Sequence, residues 1–209
     1  MRIIAGSKRG MKLFSPPGLD SRPIIDRVKQ ALFNVLQKYD LPADKAVADV
    51  FAGVGSLGLE SLSRGAAFVA FIEHNPKIVP VLQKNIEKAG FTKQSKVIRT
   101  DAFKITLPVD AEHPQYHLVF VDPPYVDSTQ TQAGSPLASL LTRLSEQVAS
   151  GGFVIVRTHQ DTSLSESYGP LKIIERRQWG TMAVTILKKE IARSPDLSGR
   201  RSNLDFKRT

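Results

Sequence analysis

The sequence predicts an α/β fold: a mainly parallel sheet with helices on both faces, a terminal antiparallel hairpin and a small basic N-terminal extension. Three observations predict it. Short apolar runs at 46–51, 67–72, 96–99, 117–121 and 153–156 read as strands. Segments of helical period separate most of them through short connections, an alternation that implies right-handed crossovers within a parallel sheet. The chemistry-bearing residues, a glycine-rich loop and several carboxylates, fall at the carboxyl ends of those strands, where such sheets bind ligands.

Taken in order, Arg2-Ile3-Ile4-Ala5 reads as a short strand, residues 6–10 as a turn tipped by Lys8 and Arg9, and Met11-Lys12-Leu13-Phe14 as the return strand. Ser15-Pro16-Pro17-Gly18 breaks it. Ser21-Arg22-Pro23 then opens a helix with proline in its first turn. Ile24, Val28, Ala31, Leu32, Val35 and Leu36 form its apolar face. Asp26, Arg27, Lys29, Gln30, Asn34 and Lys38 form the opposite one. The run 46–51 is a buried strand, followed by Ala52-Gly53-Val54-Gly55-Ser56-Leu57-Gly58 and a helix closed by Gly65. The second strand ends at Glu73. Asn75-Pro76 starts the next helix, with Ile78, Val79, Leu82, Ile86 and Ala89 as its buried stripe and Gly90 at its end. A third strand precedes Thr100-Asp101-Ala102, and a fourth runs into Asp122. Residues 126–134 carry no apolar period and read as a mobile loop that closes on substrate. Ser135-Pro136 caps a helix striped by Leu137, Leu140, Leu141, Leu144 and Val148 and ended by Gly151-Gly152. After a fifth strand, 172–179 and 181–187 flank Gly180 as a terminal hairpin. The expected organisation is a basic hairpin and helix over 1–40, the main domain over 41–189 and a basic, disordered tail over 190–209.

The formal charge is +9, and its placement is uneven. Residues 1–30 hold seven basic against two acidic side chains, a net of +5, and residues 191–209 five against two, a net of +3. The central fold is nearly neutral, so a polyanion contacted through the ends explains the excess. The absence of cysteine excludes disulfides, thiolate metal sites and cysteine nucleophiles. The histidines at 74, 113, 117 and 159 are scattered, and no metal is expected. Neither a signal peptide nor a membrane-spanning run is visible, so the expected setting is the cytoplasm.

The glycine loop matches Gly-x-Gly-x-x-Gly, and Glu73 stands 20 residues beyond Gly53. Glycines there let backbone N–H groups approach a ligand, and a carboxylate at that spacing can take both hydroxyls of a ribose. The ribose argument serves a nicotinamide dinucleotide and S-adenosylmethionine equally. Asp101 is placed to accept from an adenine amine.

The most specific stretch is Val119-Phe120-Val121-Asp122-Pro123-Pro124-Tyr125. Two prolines stop the strand and any helix, leaving a carboxylate, carbonyls and an aromatic ring at its end. The Asp-Pro-Pro-Tyr run resembles the catalytic motif of methyltransferases that act on exocyclic amines of nucleic-acid bases. Such an amine is not basic, because its lone pair is delocalised into the ring. Acceptors on its two hydrogens, the Asp122 side chain and the Pro123 carbonyl, draw the nitrogen toward tetrahedral geometry, while Tyr125 stacks on the base.

Over about residues 1–187 the chain resembles the RsmD family. The residues that carry the likeness are Met1-Arg2-Ile3-Ile4-Ala5-Gly6, Arg22-Pro23, Asp26-Arg27-Val28, Ala31-Leu32-Phe33-Asn34, the run from Asp49 through Glu60, Ser63-Arg64-Gly65-Ala66, and Asp122-Pro123-Pro124-Tyr125. The resemblance implies the class I S-adenosylmethionine-dependent methyltransferase sheet, a Rossmann-like arrangement. It further implies transfer of methyl to N2 of one guanine in 16S ribosomal RNA, free or within a partly or fully assembled small subunit. Asp49, Ala52, Gly53 and Gly55 would then hold the methionine part of the cofactor, Glu73 the ribose, and Asp101 with Ala102 the adenine. Asp122, Pro123, Pro124 and Tyr125 would hold the guanine amine, with Asp122 also beside the cofactor. Lys8, Arg9, Arg22 and Arg27 would contact RNA phosphate. The chain departs from the family pattern at Ile24, Lys29-Gln30, Ala48, Val54, Arg157-Thr158-His159 and Trp179. The competing readings are a DNA adenine-N6 methyltransferase, a nicotinamide-dependent oxidoreductase and a non-catalytic RNA-binding protein of the same fold. The second of these leaves Asp-Pro-Pro-Tyr and the basic ends unexplained.

Overall fold

A computed structural model describes residues 1–16, 25–109 and 111–191, and for Val126 the backbone alone. Arg22 and most of the C-terminal tail lie outside the described residues. The elements are α1 (Asp26–Gln37), β1 (Ala46–Val50), α2 (Ser56–Ser63), β2 (Phe68–Ile72), α3 (Val79–Ala89), β3 (Ser95–Ile98), β4 (Tyr116–Val121), α4 (Pro136–Gln147), β5 (Val148–His159), β6 (Ser167–Tyr168), β7 (Leu171–Trp179) and β8 (Met182–Lys189).

The strands form a sheet of order β3-β2-β1-β4-β5-β8-β7-β6. Pairing is parallel from β3 to β5 and antiparallel from β5 onward. Strands β1 and β4 are almost wholly buried, as strands covered on both faces must be. Alternate residues feed two cores. Val47, Phe71, Leu118, Phe120 and Ile155 pack under α1, α2 and α3. Ala48, Ile72, Val119, Val121 and Val156 pack under α4. The two-residue period of a strand divides the sheet in this way.

The N-terminal segment is a hairpin held by one Arg2–Lys12 bridge and by backbone bonds between Ile3, Gly10 and Met11. It lies along α2. Ser7 N–H donates to Ser63 O at 2.7 Å, and a Cβ on Gly6 would stand 1.7 Å from that oxygen. The φ of +79° at Gly6 adds a second reason for glycine there.

Several expectations change. The helix expected from Pro23 begins at Asp26, because Ile25 is extended (φ −68°, ψ 148°) and supplies the first helical carbonyl. Lys29, expected on the polar face, is fully buried. Its ammonium donates to Arg2 O at 2.7 Å and Ser56 Oγ at 3.1 Å and lies 3.6 Å from Glu60, so the hairpin roofs that side of the helix. Helix α3 begins at Val79, not Asn75. Gly151-Gly152 lie inside β5, which starts directly after α4. The chain doubles back tightly there, and a Cβ on Gly152 would stand 2.8 Å from Val148 Cγ1. The polar stretch after Tyr125 opens with a 3-10 turn, Tyr125–Ser128, whose Ser128 is buried. Among the described residues no helix is long and apolar enough to cross a membrane.

Candidate active site

Parallel register brings the candidates together. Val50 pairs with Ile72 and Val121, Ile72 with Ile98, and Val121 with Val156. The residues that follow these partners, Phe51, Glu73, Arg99, Asp122 and Arg157, therefore line up along one edge, where β5 alone runs on to His159. Asp49, Asp122 and Arg157 also share the face that carries α1 and α2, by strand alternation.

The glycine loop is shaped by its backbone. Phe51 has φ +69°, a left-handed conformation rare for a bulky residue and a mark of functional turns. Its ring meets Phe103 edge-on, with centroids 4.9 Å apart. Gly53 also has positive φ, and a Cβ there would meet nothing within 4 Å, so the space beside its Cα is open. The third glycine serves packing. A Cβ on Gly58 would stand 2.2 Å from the Phe71 ring, so its absence lets α2 lie on the sheet. Gly58 N–H in turn donates to Asp49 Oδ2 at 2.8 Å.

Asp49 is 2% exposed. Burial pushes its pKa up to about 8; the Gly58 amide opposes this, and the nearby charges of Asp122 and Glu73 reinforce it. The Glu73 carboxylate bridges the loop. Its Oε2 accepts from Gly53 N–H at 2.9 Å and its Oε1 from Asn75 N–H at 2.8 Å. It thus ties the glycine loop to the end of β2. Asp101 caps the short turn Ala102–Lys104 by accepting from Phe103 N–H at 3.0 Å, with Ala102 buried behind it.

Asp122 continues the β4 pairing through its N–H to Val50 O at 3.3 Å. Its carboxylate accepts from Arg157 Nε–H. Burial raises the Asp122 pKa, and the Arg157 guanidinium opposes the rise. Pro123 is buried, Pro124 exposed and Tyr125 half-buried. The Tyr125 ring meets His159 edge-on at 5.8 Å between centroids.

The basic residues divide. Arg27 is exposed near the N-terminus of α1, at the glycine-loop end, since neighbouring Lys29 reaches Ser56 at the start of α2. Lys8 and Arg9 sit at the other end of α2. Lys8 N–H donates to Ser63 Oγ at 2.9 Å, and its ammonium lies 5.8 Å from the Phe91 ring centroid, beyond α3. An eight-residue helix separates that tip from the loop, roughly 12 Å. The fold therefore gathers Asp49, the glycine loop, Glu73, Asp101 and Asp122, and leaves Lys8 and Arg9 a helix-length away.

Arg157 was not among the expected site residues. The signal for it was present, because an arginine directly after the run 153–156 stands where Asp122 stands after 117–121.

Comparison with known proteins places the chain in a family and a fold. A profile of the family described as Conserved hypothetical protein 95 matches residues 1–188. A putative rRNA methyltransferase, YlbH of Bacillus subtilis, is 31% identical over 90% of this chain and 99% of its own. Ribosomal RNA small subunit methyltransferase D of Haemophilus influenzae is 40% identical over 66% of this chain and 70% of its own. Among solved structures, a putative methyltransferase from Escherichia coli superposes with a TM-score of 0.72 at 30% identity, covering 91% of this chain and 98% of the other. An RNA methyltransferase from Salinibacter ruber in complex with S-adenosyl-L-homocysteine shares the fold at a TM-score of 0.57 and 16% identity, covering 83% and 97%. On a match that spans nearly the whole described chain, the protein belongs to the Conserved hypothetical protein 95 family, the RsmD family of the sequence resemblance.

Proposed function

We propose that this protein transfers methyl from S-adenosylmethionine to the exocyclic N2 amine of a guanine in 16S ribosomal RNA. The observation that carries the reading is the placement of Asp122-Pro123-Pro124-Tyr125 on the same sheet edge as the glycine loop and Glu73. It is supported by relatives named as ribosomal RNA methyltransferases and by the methyltransferase fold.

The cofactor supplies a methyl carbon activated by its sulfonium. Asp49 and residues 52–55 border the methionine portion, Glu73 takes the ribose hydroxyls, and Asp101 with Ala102 borders the adenine. The open face over Gly53 suits close approach of that ligand. Asp122 and the Pro123 carbonyl accept the two N–H groups of the guanine amine. They would hold these bonds as positive charge grows on nitrogen, the methyl passing from sulfur to nitrogen with S-adenosylhomocysteine as the leaving product and one amine proton passing to water. Tyr125 stacks on the base and fixes its plane. The target base must be unstacked to reach this edge.

Residues 1–40 serve as the RNA-contacting extension and 41–189 as the transfer domain, with 190–209 a basic tail. Arg27 meets phosphate near the target, and Arg22, which lies outside the described residues, is a further phosphate contact on the sequence resemblance alone. Lys8 and Arg9 meet the RNA backbone a helix-length further on, roughly 12 Å from the glycine loop.

The test is methyl transfer to protein-free 16S RNA, to small subunits from cells lacking the protein, and to duplex DNA, with mass mapping of the ribosomal RNA. The reading expects one guanine to lose its N2 methyl in those cells and regain it in vitro. Labelling of duplex DNA, or no missing methyl, contradicts it.

A further inference from the structure

Asp122 faces an electrostatic conflict. As an acceptor for an amine it works best ionised, since a protonated carboxyl keeps fewer acceptor sites, makes weaker bonds and adds an O–H that can face the amine's own hydrogens. Yet its side chain is 17% exposed, and removal from water favours the neutral acid. Other carboxyl groups crowd the same edge. Asp49 of β1 interacts with Asp122, and Glu73 at the end of β2 interacts with Asp49. Tyr125 and His159 bring no fixed positive charge to the carboxylate.

Arg157 answers this conflict. It follows Val156 in β5 as Asp122 follows Val121 in β4, so the two side chains stand abreast on one face. Its Nε–H donates to Asp122 Oδ1. The guanidinium is itself only 13% exposed, and its Nη1 lies 3.9 Å from Met182 Sδ on β8. The group is planar and charged at any working pH, and it is held on two sides by sheet residues. A carboxylate offers about four lone-pair sites, so a bond from Arg157 leaves capacity for an amine.

We propose that Arg157 is a positioning residue for methyl transfer, and that its guanidinium keeps the Asp122 carboxylate ionised and oriented at the strand end to receive the target amine. The inference rests on the methyl-transfer reading above. It has a distinctive consequence in pH. Without the neighbouring cation Asp122 keeps its proton to higher pH, so the acid limb of the rate profile moves up. Orientation also suffers, but that loss does not depend on pH.

The test uses the full-length protein and the variants Arg157→Gln and Arg157→Lys. Three quantities are followed: kcat and KM for RNA from about pH 5.5 to 9.5, S-adenosylhomocysteine affinity by calorimetry, and the Asp122 carboxyl resonance by carbon-13 NMR without substrate. For Arg157→Gln both the resonance titration and the acid limb should rise by about one pH unit or more, within the 1–3 units typical of losing an adjacent opposite charge. At neutral pH kcat should fall about tenfold and recover in part at alkaline pH, with KM for RNA and cofactor affinity within a few-fold. Arg157→Lys should keep most of the limb's position. An unmoved titration in a wild type that transfers methyl overturns this inference alone. So does an equal loss at every pH in both variants, or a gain in kcat on removing the guanidinium. A moved titration in a wild type that methylates no RNA overturns the methyl-transfer reading together with this inference.

Discussion

Two buried carboxyl groups, Glu60 within α2 and Asp49 of β1 hydrogen-bonded to it, are treated in opposite ways. Glu60, fully buried, accepts from Ile4 N–H at 2.8 Å, Ala5 N–H at 3.0 Å and Arg64 Nε at 2.8 Å, with Lys29 Nζ 3.6 Å away. Asp49, nearly as buried, accepts from Gly58 N–H and faces Asp122 and Glu73, two groups of its own sign. The first carboxylate is surrounded by donors and cations and fastens the hairpin and α1 to the domain. The second is left among like charges at an open edge, a common condition of ligand sites and an expensive one for a purely structural residue.

If that contrast is sound, the largest loss of stability comes from the satisfied carboxylate. Glu60→Ala leaves the buried Lys29 without its acidic partner and strips two backbone amides of their acceptor. The expected cost is about 3–5 kcal/mol, the range for breaking a buried ion pair, read from urea unfolding. A loss under about 1 kcal/mol would mean that the hairpin is not fastened through Glu60. Asp122→Ala should do the reverse. Turnover falls roughly 100-fold or more while cofactor affinity stays within a few-fold, and the stability lost by unpairing the partly exposed Arg157 is smaller than for Glu60→Ala. Equal loss of cofactor binding would assign Asp122 to the cofactor instead.

Asp49→Asn sharpens the contrast through pH. In the fold Asp49 keeps its proton up to about pH 8, whereas the reference carboxyl releases it near 3.8. Between those values the folded state binds the extra proton, so its stability falls as pH rises through that window. Asparagine cannot ionise, so the variant's melting temperature should rise relative to wild type as pH goes from about 4 to about 8.5, by several degrees across the window. Equal melting at both pH values would remove Asp49 from the strained set. The smallest effect belongs to the rim. Arg27→Glu should weaken RNA binding and reduce its logarithmic salt slope by about 1, and an unchanged slope would take Arg27 off the RNA face.

The site edge was more legible in the sequence than the fastening beneath it. Asp49, Glu73 and Asp122 announce themselves because each ends or interrupts an apolar run, and strand ends in a parallel sheet share an edge. Ser135-Pro136 likewise marked α4 correctly, with Ser135 Oγ accepting from Ala138 N–H at 3.2 Å. Lys29 was not legible. Its burial depends on Glu60 and on the Arg2 carbonyl, partners 31 and 27 residues away, and helical period assigns a lysine to water. The two-residue strand β6 is too short to carry a period, and the start of β5 is hidden by its glycines. The position of Lys8 and Arg9 was missed for a related reason. Composition shows that a segment is basic but not against which end of a helix it packs.

The account turns on one edge serving both cofactor and base. A crystal structure with S-adenosylhomocysteine addresses this directly. The expected result places its ribose at Glu73 and its sulfur facing the Pro123 carbonyl, with room beside Tyr125 for a planar purine. A ligand lodged away from Pro123, or a cleft at Tyr125 too narrow for a purine, would contradict it.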